Sequence, residues 1–220
     1  MTRKPLLLVT LLLTLGVFAV GAWFVTRTAP VPEASAVTSA QADMMIRNYS
    51  PVLGPEDAPV TIIEFFDPSC EACRAMHPVV KAIMAEYPED VRVVLRYTPL
   101  HGEGSELAIK VMEAARLQGL FLPVMEALLQ HQAVWASHDA PAAERIMDIA
   151  GSVGLDVALA RTQIQSPEII GMLNMDKADM QALGIRQTPT FFVNFKPLPE
   201  FGVQQLLDLV QSEIEVARAS

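Results

Sequence analysis

Apolar residues follow three patterns along the chain, and each pattern predicts a different kind of segment. Residues 6–25 carry no charge, a run long enough for a membrane-spanning helix. Two short runs rich in β-branched and aromatic residues, at 60–66 and 91–97, predict buried strands. Residues 102–183 are rich in Ala, Leu, Met and Glu at helical spacing, and they predict a series of helices.

The two short runs predict a βαβ unit. The helix between them should begin near Cys70 and end near Tyr87, because a helix rarely continues into a following proline such as Pro88. Two strands joined by one helix pair in parallel with a right-handed connection. The chain therefore predicts an α/β fold.

The helical region separates this unit from the rest of the sheet. Its predicted helices are 105–118, 122–130, 141–150, 156–163 and about 167–183. Residues 191–194 and 196–198 predict two further strands, and residues 203–216 predict a closing amphipathic helix. We therefore expect an all-helical insertion, about residues 102–183, between the second and third core strands.

The N-terminal apolar run predicts export. Arg3 and Lys4 precede it, and basic residues before an apolar segment hold the N-terminus in the cytoplasm while the following chain crosses the membrane. Its full length favours an uncleaved anchor within residues 1–27. Small residues around Gly21 offer the alternative of a cleaved signal peptide. Either interpretation places the remaining chain where disulfides persist.

The remaining sequence fits one domain behind a linker. Residues 28–50 are rich in Ala, Ser, Thr and Pro without an apolar period, so they predict a linker. Residues 51–217 are enough for a single domain with a sizeable core. The formal net charge of −9 argues against nucleic acid or anionic lipid as a partner.

The candidate chemistry lies just after the first strand. Cys70 and Cys73 are the only two cysteines, so no structural disulfide framework is expected. Cys70 stands where the helix should begin, and there the free amides and the helix dipole favour the thiolate. Cys73 lies one turn later on the same face, so the pair can close a small disulfide. Glu64 is either a buried acid with a raised pKa, suited to proton transfer, or an outward-facing strand residue.

Two prolines extend this pattern. Pro78 lies inside the predicted helix and should kink it. Thr188-Pro189 precedes the strand at 191–194, and a proline at such a position is a candidate for a cis peptide bond. That bond would place the Thr188 backbone against the sulfurs.

Together these residues resemble the thioredoxin superfamily, and most closely its bacterial DsbA-like thiol-disulfide oxidoreductases. The motif is Glu-Phe-Phe-Asp-Pro-Ser-Cys-Glu-Ala-Cys at 64–73. Glu64 matches the family's buried acid, Pro78 its kink proline and Thr188-Pro189 its cis-proline loop. The resemblance covers about residues 50–217. It implies a thioredoxin-like fold in which the helical insertion shapes a groove beside the redox site.

The resemblance also implies a function in the bacterial periplasm. Cys70 and Cys73 would exchange disulfides with exported proteins, Glu64 would relay a proton, and Thr188-Pro189 would align the substrate; no cofactor is implied. A membrane partner, a DsbB-like oxidase or a reductase, would recycle the pair. The insertion favours an oxidase over an isomerase or reductase. Residues 6–25 would tether the domain to the inner membrane, unless they are cleaved.

Several positions depart from the family pattern. Glu71 and Ala72 replace a pair that includes a thiolate-stabilising His in strong oxidants, so we expect a higher Cys70 pKa and a less oxidising disulfide. Phe195 stands where relatives have Gly in an Asn-Gly hairpin, which puts a two-residue turn in doubt.

Two arginines interrupt the second strand. Arg92 and Arg96 are expected on an outward face. The alternative is that Arg96 pairs with Glu64 or biases the thiolate.

A metal-binding or partner-binding module on a thioredoxin scaffold is the alternative function. Met76 and His77 follow the cysteines, so a thiolate and imidazole copper site is conceivable, with His101 as the nearest candidate for a second imidazole. A packed or half-exposed helical histidine is the simpler interpretation of His77. Structural zinc is not expected, because it requires four ligands.

Overall fold

The computed structural model describes residues 37–137 and 142–219, together with Gly16. Apart from Gly16, the predicted anchor or signal segment at 1–27 lies outside the described residues. The chain divides into the units Met1–Ala36 and Val37–Ser220, and every element named below belongs to the second. No helix in the described ranges is long and apolar enough to cross a membrane.

A mixed sheet of five strands forms the centre of the described region. The strands are β1 (Val52–Leu53), β2 (Val60–Phe66), β3 (Val91–Tyr97), β4 (Thr190–Val193) and β5 (Lys196–Pro197), in the spatial order β1-β3-β2-β4-β5. β2 and β3 are parallel, and the other neighbours are antiparallel. The predicted strands are confirmed to within one residue. The short edge strand β1 was missed, because two residues among prolines and a glycine carry no strand signal.

β2 is central, and all seven of its residues are buried. Ile62 and Phe66 face the larger apolar cluster, which also contains Cys73. Ile63 and Phe65 join a second cluster on the opposite face. Because side chains alternate along a strand, Glu64 lies on the same face as Ile62 and Phe66, towards the helix that carries the cysteines.

The helices confirm the expected insertion. They are α1 (Ser39–Met45), α2 (Glu71–Glu86), α3 (Glu103–Leu117), α4 (Phe121–Gln130), α5 (Gln132–Trp135), α6 (Arg145–Ser152), α7 (Val157–Gln163), α8 (Pro167–Ala182) and α9 (Val203–Arg218). The helices α3 to α8 all lie between β3 and β4 in the chain. Within the insertion, only α5 was not anticipated, because it is a single turn directly after α4.

The predicted linker at 28–50 differs from the structure over its second half. Thr38 caps α1 through a reciprocal pair of bonds with Gln41, each between 3.0 and 3.2 Å. Met45 is buried against the domain. Arg47 donates hydrogen bonds of 2.6 and 2.8 Å to the carboxylate of Asp179 on α8. Because these attachments are mostly polar, the segment lacks the regular apolar spacing of an amphipathic helix, and its composition therefore suggested a linker.

The outward orientation predicted for Arg96 is wrong. This side chain is fully buried between β3 and α8, where it donates to Asp176 Oδ1 at 2.7 Å and Asp179 Oδ2 at 2.8 Å, and not to Glu64. A helix of the insertion covers this face of the sheet, which the strand sequence alone cannot reveal. Arg92 is half-buried and donates to Thr61 Oγ1 at 2.9 Å.

The two-residue hairpin turn that the sequence put in doubt is present. Val193 pairs with Lys196, so only Asn194 and Phe195 form the turn, and their φ angles are +47° and +67°. These are the left-handed values that such a turn requires. Asn194 Oδ1 accepts a bond of 2.9 Å from the Thr61 amide, and Phe195 packs against the second apolar cluster. These contacts hold a bulky residue where glycine is usual.

Candidate active site

Cys70 occupies the position just before α2 and is held there by its main chain. Its amide donates to the Asp67 carbonyl at 3.0 Å. The Gln132 side chain on α5 donates to the carbonyls of Pro68 at 2.8 Å and Cys70 at 2.9 Å. Sequence reasoning missed Gln132, because a glutamine on an unpredicted single turn gives no signal of its role. The insertion therefore fixes the loop that presents the first cysteine.

The two cysteines differ in access. Cys70 is 6% exposed and Cys73 is completely buried. Both residues are therefore buried, and Cys70 is the more exposed of the two. An incoming disulfide or thiol reaches Cys70 first.

Their protonation differs as well. The pKa of Cys70 is lowered to about 5, chiefly by a hydrogen bond from the Cys73 thiol and also by the amides of Cys73 and Ala72, which outweigh the opposing effect of burial. The pKa of Cys73 is raised far above its ordinary value by burial and by the nearby Cys70 and Glu64. The Cys70 pKa thus lies well below that of an ordinary thiol although Glu71 and Ala72 stand between the cysteines, and the amides at the helix start contribute to this lowering. The expectation that these two side chains keep it higher than in strong oxidants with a His at this position stays a prediction.

Thr188 and Pro189 lie at the redox pair, as predicted. The peptide bond between them is cis. In its thiol form Cys70 donates a hydrogen bond to the Thr188 carbonyl oxygen, with Sγ and O 3.2 Å apart. Residues separated by more than a hundred positions in sequence thus form one surface around Cys70.

Glu64 lies below the pair. It is 3% exposed, so the outward-facing alternative is wrong. Burial, with a smaller effect from Cys70, raises its pKa to about 8. Its Oε1 atom has no hydrogen-bond partner among the described residues. A carboxyl group that is largely protonated near neutral pH lies close enough to both sulfurs to affect their pKa values.

The histidines considered for copper do not assemble with the sulfurs. His101 Nδ1 lies 2.7 Å from Oδ2 of the buried Asp67. His77 Nε2 lies 3.6 Å from Glu126 Oε1. Across 37–137 and 142–219, no three His, Cys, Asp or Glu residues are placed to hold a metal ion together. The geometry therefore gives the copper alternative no ligand set.

Glu64→Gln should change how stability depends on pH. Because the folded-state pKa is raised from 4.5 to about 8, the stabilising contribution of the neutral acid is fully present below 4.5 and is lost as the pH rises through 8. The variant lacks this loss. We expect its unfolding free energy, relative to wild type, to increase by about 1–3 kcal/mol between about pH 5 and about pH 8. Urea unfolding at the two pH values measures the difference.

The exposed Glu71 supplies the control for this prediction. Glu71→Gln removes an exposed carboxylate from the same motif, so its effect on the free energy of unfolding should be nearly the same at both pH values. A Glu64→Gln difference that does not grow with pH would show that Glu64 is ionised in the folded protein at neutral pH.

Comparison with known proteins places this site in a family. The model of the family described as Thioredoxin matches residues 47–208. The chain belongs to the thioredoxin family. A thioredoxin-like oxidoreductase from Silicibacter pomeroyi DSS-3 is 32% identical, with 81% of this chain and 98% of that chain covered and a TM-score of 0.67.

Two further comparisons show how far the similarity extends. The structure of α-DsbA1 from Wolbachia pipientis shares the fold at a TM-score of 0.70, with 18% identity, 82% of this chain and 98% of that chain covered. The Na⁺/H⁺ antiporter NhaA from Herminiimonas arsenicoxydans is 33% identical over 147 residues, which are 67% of this chain. This chain spans only 22% of the antiporter's length. The similarity to the antiporter thus leaves most of the antiporter's length unmatched.

Proposed function

We propose that the protein is a thiol-disulfide oxidoreductase of the bacterial periplasm that oxidises exported proteins. The observation that carries the proposal is the contrast within the pair: Cys70 reaches the surface with a pKa of about 5, whereas Cys73 is buried with a strongly raised pKa. This contrast separates an attacking or attacked sulfur from a resolving one. The similarity to a thioredoxin-like oxidoreductase supports the same reaction class.

The proposed oxidation has two exchange steps. A substrate thiolate attacks Cys70 in the Cys70–Cys73 disulfide, and Cys73 leaves as a thiolate that takes a proton from Glu64. A second substrate thiolate then attacks the substrate sulfur of the mixed disulfide, and Cys70 leaves as a thiolate. The substrate loses two electrons, and the Cys70–Cys73 pair gains them.

The thiolate at Cys70 supports the oxidising direction. A low pKa stabilises the reduced form of the pair, and a stable reduced form makes the disulfide a stronger oxidant. Cys70 is also the better leaving group in the second step, because thiols of low pKa leave faster. We propose that a DsbB-like membrane oxidase regenerates the disulfide.

The Thr188 main chain is the proposed docking edge. An extended substrate segment beside Cys70 would pair with main-chain groups there, in the manner of an added strand. Such recognition depends little on substrate side chains, which suits an enzyme acting on many exported proteins. The predicted domain at 51–217, together with the described segment from residue 37, would carry the whole site, and residues 6–25 would anchor it to the inner membrane.

Transfer of one disulfide tests the proposal. Purified full-length protein, oxidised and freed of oxidant, is mixed with a reduced unfolded protein that has two cysteines. We expect two thiols to appear on Cys70 and Cys73 for each disulfide formed in the substrate, and protein alkylated beforehand in its reduced form should transfer none. Absence of transfer by the oxidised protein would overturn the oxidase proposal. A glutathione titration then gives the reduction potential and hence the direction.

A further inference from the structure

A cavity of about 420 Å³ is lined by residues of α2 and of the strands β2 and β3. Its walls are mostly apolar side chains, including Val80, Met84 and Met125. The ionisable groups at its surface are Glu64 from β2 and His77 and Lys81 from α2. The carboxyl group that exchanges a proton with Cys73 in the proposed function thus borders a space that is roomy enough to admit water.

His77 connects this cavity to the outside. It stands four residues after Cys73, so both lie on the same face of α2. It also lines an outer groove of about 610 Å³ together with Arg74 and Glu126. Its Nε2 atom is buried, has no hydrogen-bond partner among the described residues, and lies 3.6 Å from Glu126 Oε1.

Lys81 also lines both the cavity and the groove, but its ammonium group is already paired with Glu126. Its Nζ atom lies 2.5 Å from Glu126 Oε1, and its side chain is mostly exposed. Lysine also holds its proton at neutral pH, whereas histidine gains and loses one there. Of the groups that line both the cavity and the groove, His77 is the one whose chemistry suits proton passage.

The proposed exchange steps give such a passage a use. When Cys73 leaves the disulfide it takes the proton of Glu64, and the resulting carboxylate takes up another near neutral pH because the pKa of this group is about 8. When the pair is reoxidised, Cys73 loses its proton again, and one proton must then leave the site. Glu64 is 3% exposed, so solvent does not reach it freely. We propose that His77 transfers protons between bulk solvent and Glu64 through this cavity. The inference rests on the proposed oxidoreductase function and adds a residue to it.

The charges around His77 are consistent with this role. Burial, as the largest effect, and the neighbouring Lys81 lower its pKa, while Glu126 opposes the shift. Arg74 lines the groove, and Glu64 faces it across the cavity. At neutral pH the ring is therefore mainly uncharged, with one nitrogen able to accept a proton and the other able to donate one. A proton taken from solvent at the groove is thus passed to Glu64, and the ring keeps its charge but ends as its other tautomer, which the reverse transfer during reoxidation restores.

Steady-state turnover tests this inference. Full-length protein is mixed with an excess of reduced peptide and with glutathione disulfide, which reoxidises the Cys70–Cys73 pair, and formation of the peptide disulfide is followed for wild type, His77→Ala, His77→Gln and the control His131→Gln, whose exposed side chain lines neither space. We expect the two His77 variants to turn over about 3–10-fold more slowly near neutral pH. Added imidazole should restore His77→Ala and leave the control unchanged. In a Glu64→Gln background, His77→Ala should cause no further loss.

The outcomes separate the possible failures. Folded His77 variants that turn over at the wild-type rate would overturn the inference. A loss that imidazole does not restore, and that persists in the Glu64→Gln background, would also overturn it by assigning His77 a packing role. His77→Gln keeps a polar side chain of similar size, so it provides the rate if His77→Ala does not fold. Failure of wild type to transfer any disulfide would instead overturn the proposed function.

Discussion

Replacing Cys73 with Ser should leave substrate proteins covalently attached to Cys70. The serine hydroxyl can donate to Cys70 in place of the Cys73 thiol, which is the largest cause of the lowered Cys70 pKa, and the amides at the start of α2 still favour the thiolate. It therefore still enters a mixed disulfide, but no second sulfur remains below it to release the substrate. Incubation with an oxidised substrate protein, followed by non-reducing electrophoresis and mass spectrometry, should show a stable one-to-one adduct that thiol reductants remove.

Cys70→Ser is the matched counterpart, and it should form no adduct. Cys73 is completely buried and its pKa is strongly raised, so it is neither accessible nor ionised. We expect its exchange rate to fall on the order of 10³-fold or more. In the reduced wild type, iodoacetamide should modify Cys70 with a rate that rises through about pH 5 and is flat near neutrality. Comparable adducts with both variants would contradict the division of roles.

Arg96→Met should produce the largest loss of stability. The guanidinium group is fully buried and joins Asp176 to Asp179 across β3 and α8. Its removal leaves Asp176 without a cationic partner and Asp179 with Arg47 alone, and breaking a buried ion pair in this way costs about 3–5 kcal/mol. Arg96 also donates to the Met44 carbonyl, so the attachment of α1 should weaken too. Urea unfolding gives the loss, and hydrogen exchange across residues 39–47 gives the local effect.

Arg92→Met is the control on the same strand. Arg92 is half-buried and its side-chain partners are neutral, namely the Thr61 hydroxyl and the Glu56 carbonyl. We expect it to cost about 1 kcal/mol or less. Equal losses for the two substitutions would show that the Asp176–Asp179 cluster contributes little beyond the removal of an arginine.

Local sequence patterns predicted most of the fold and the redox pair. β2 and β3 were recognisable because buried parallel strands are continuous apolar runs. Cys70 and Cys73 were recognisable as a redox pair because one stands at the start of a predicted helix and the other follows one turn later on the same face. The position of Glu64 followed from the same strand. Each of these predictions depends on residues that are neighbours in the chain.

Features that depend on distant contacts escaped prediction. Arg96 was misplaced because its partners lie about eighty residues away on α8, and no local pattern distinguishes a buried charged cluster from an exposed charge. The segment that contains α1 was taken as linker because its attachment, from Arg47 to Asp179, joins residues that are far apart in the sequence. Phe195 was misjudged because the cost of its positive φ is offset by contacts of Asn194 with another strand. In each case, tertiary contacts outweighed a correct local tendency.

The two hydrogen bonds from Gln132 tie the insertion to the redox loop. A shortened protein in which residues 102–183 are replaced by a brief connection would lose the donor to the Pro68 and Cys70 carbonyls, and the Cys70 carbonyl would keep only the Arg74 amide. Minimal versions of this domain would therefore need a replacement amide at that point before the cysteines regain their geometry. The helical region cannot be treated as a detachable module for substrate choice alone.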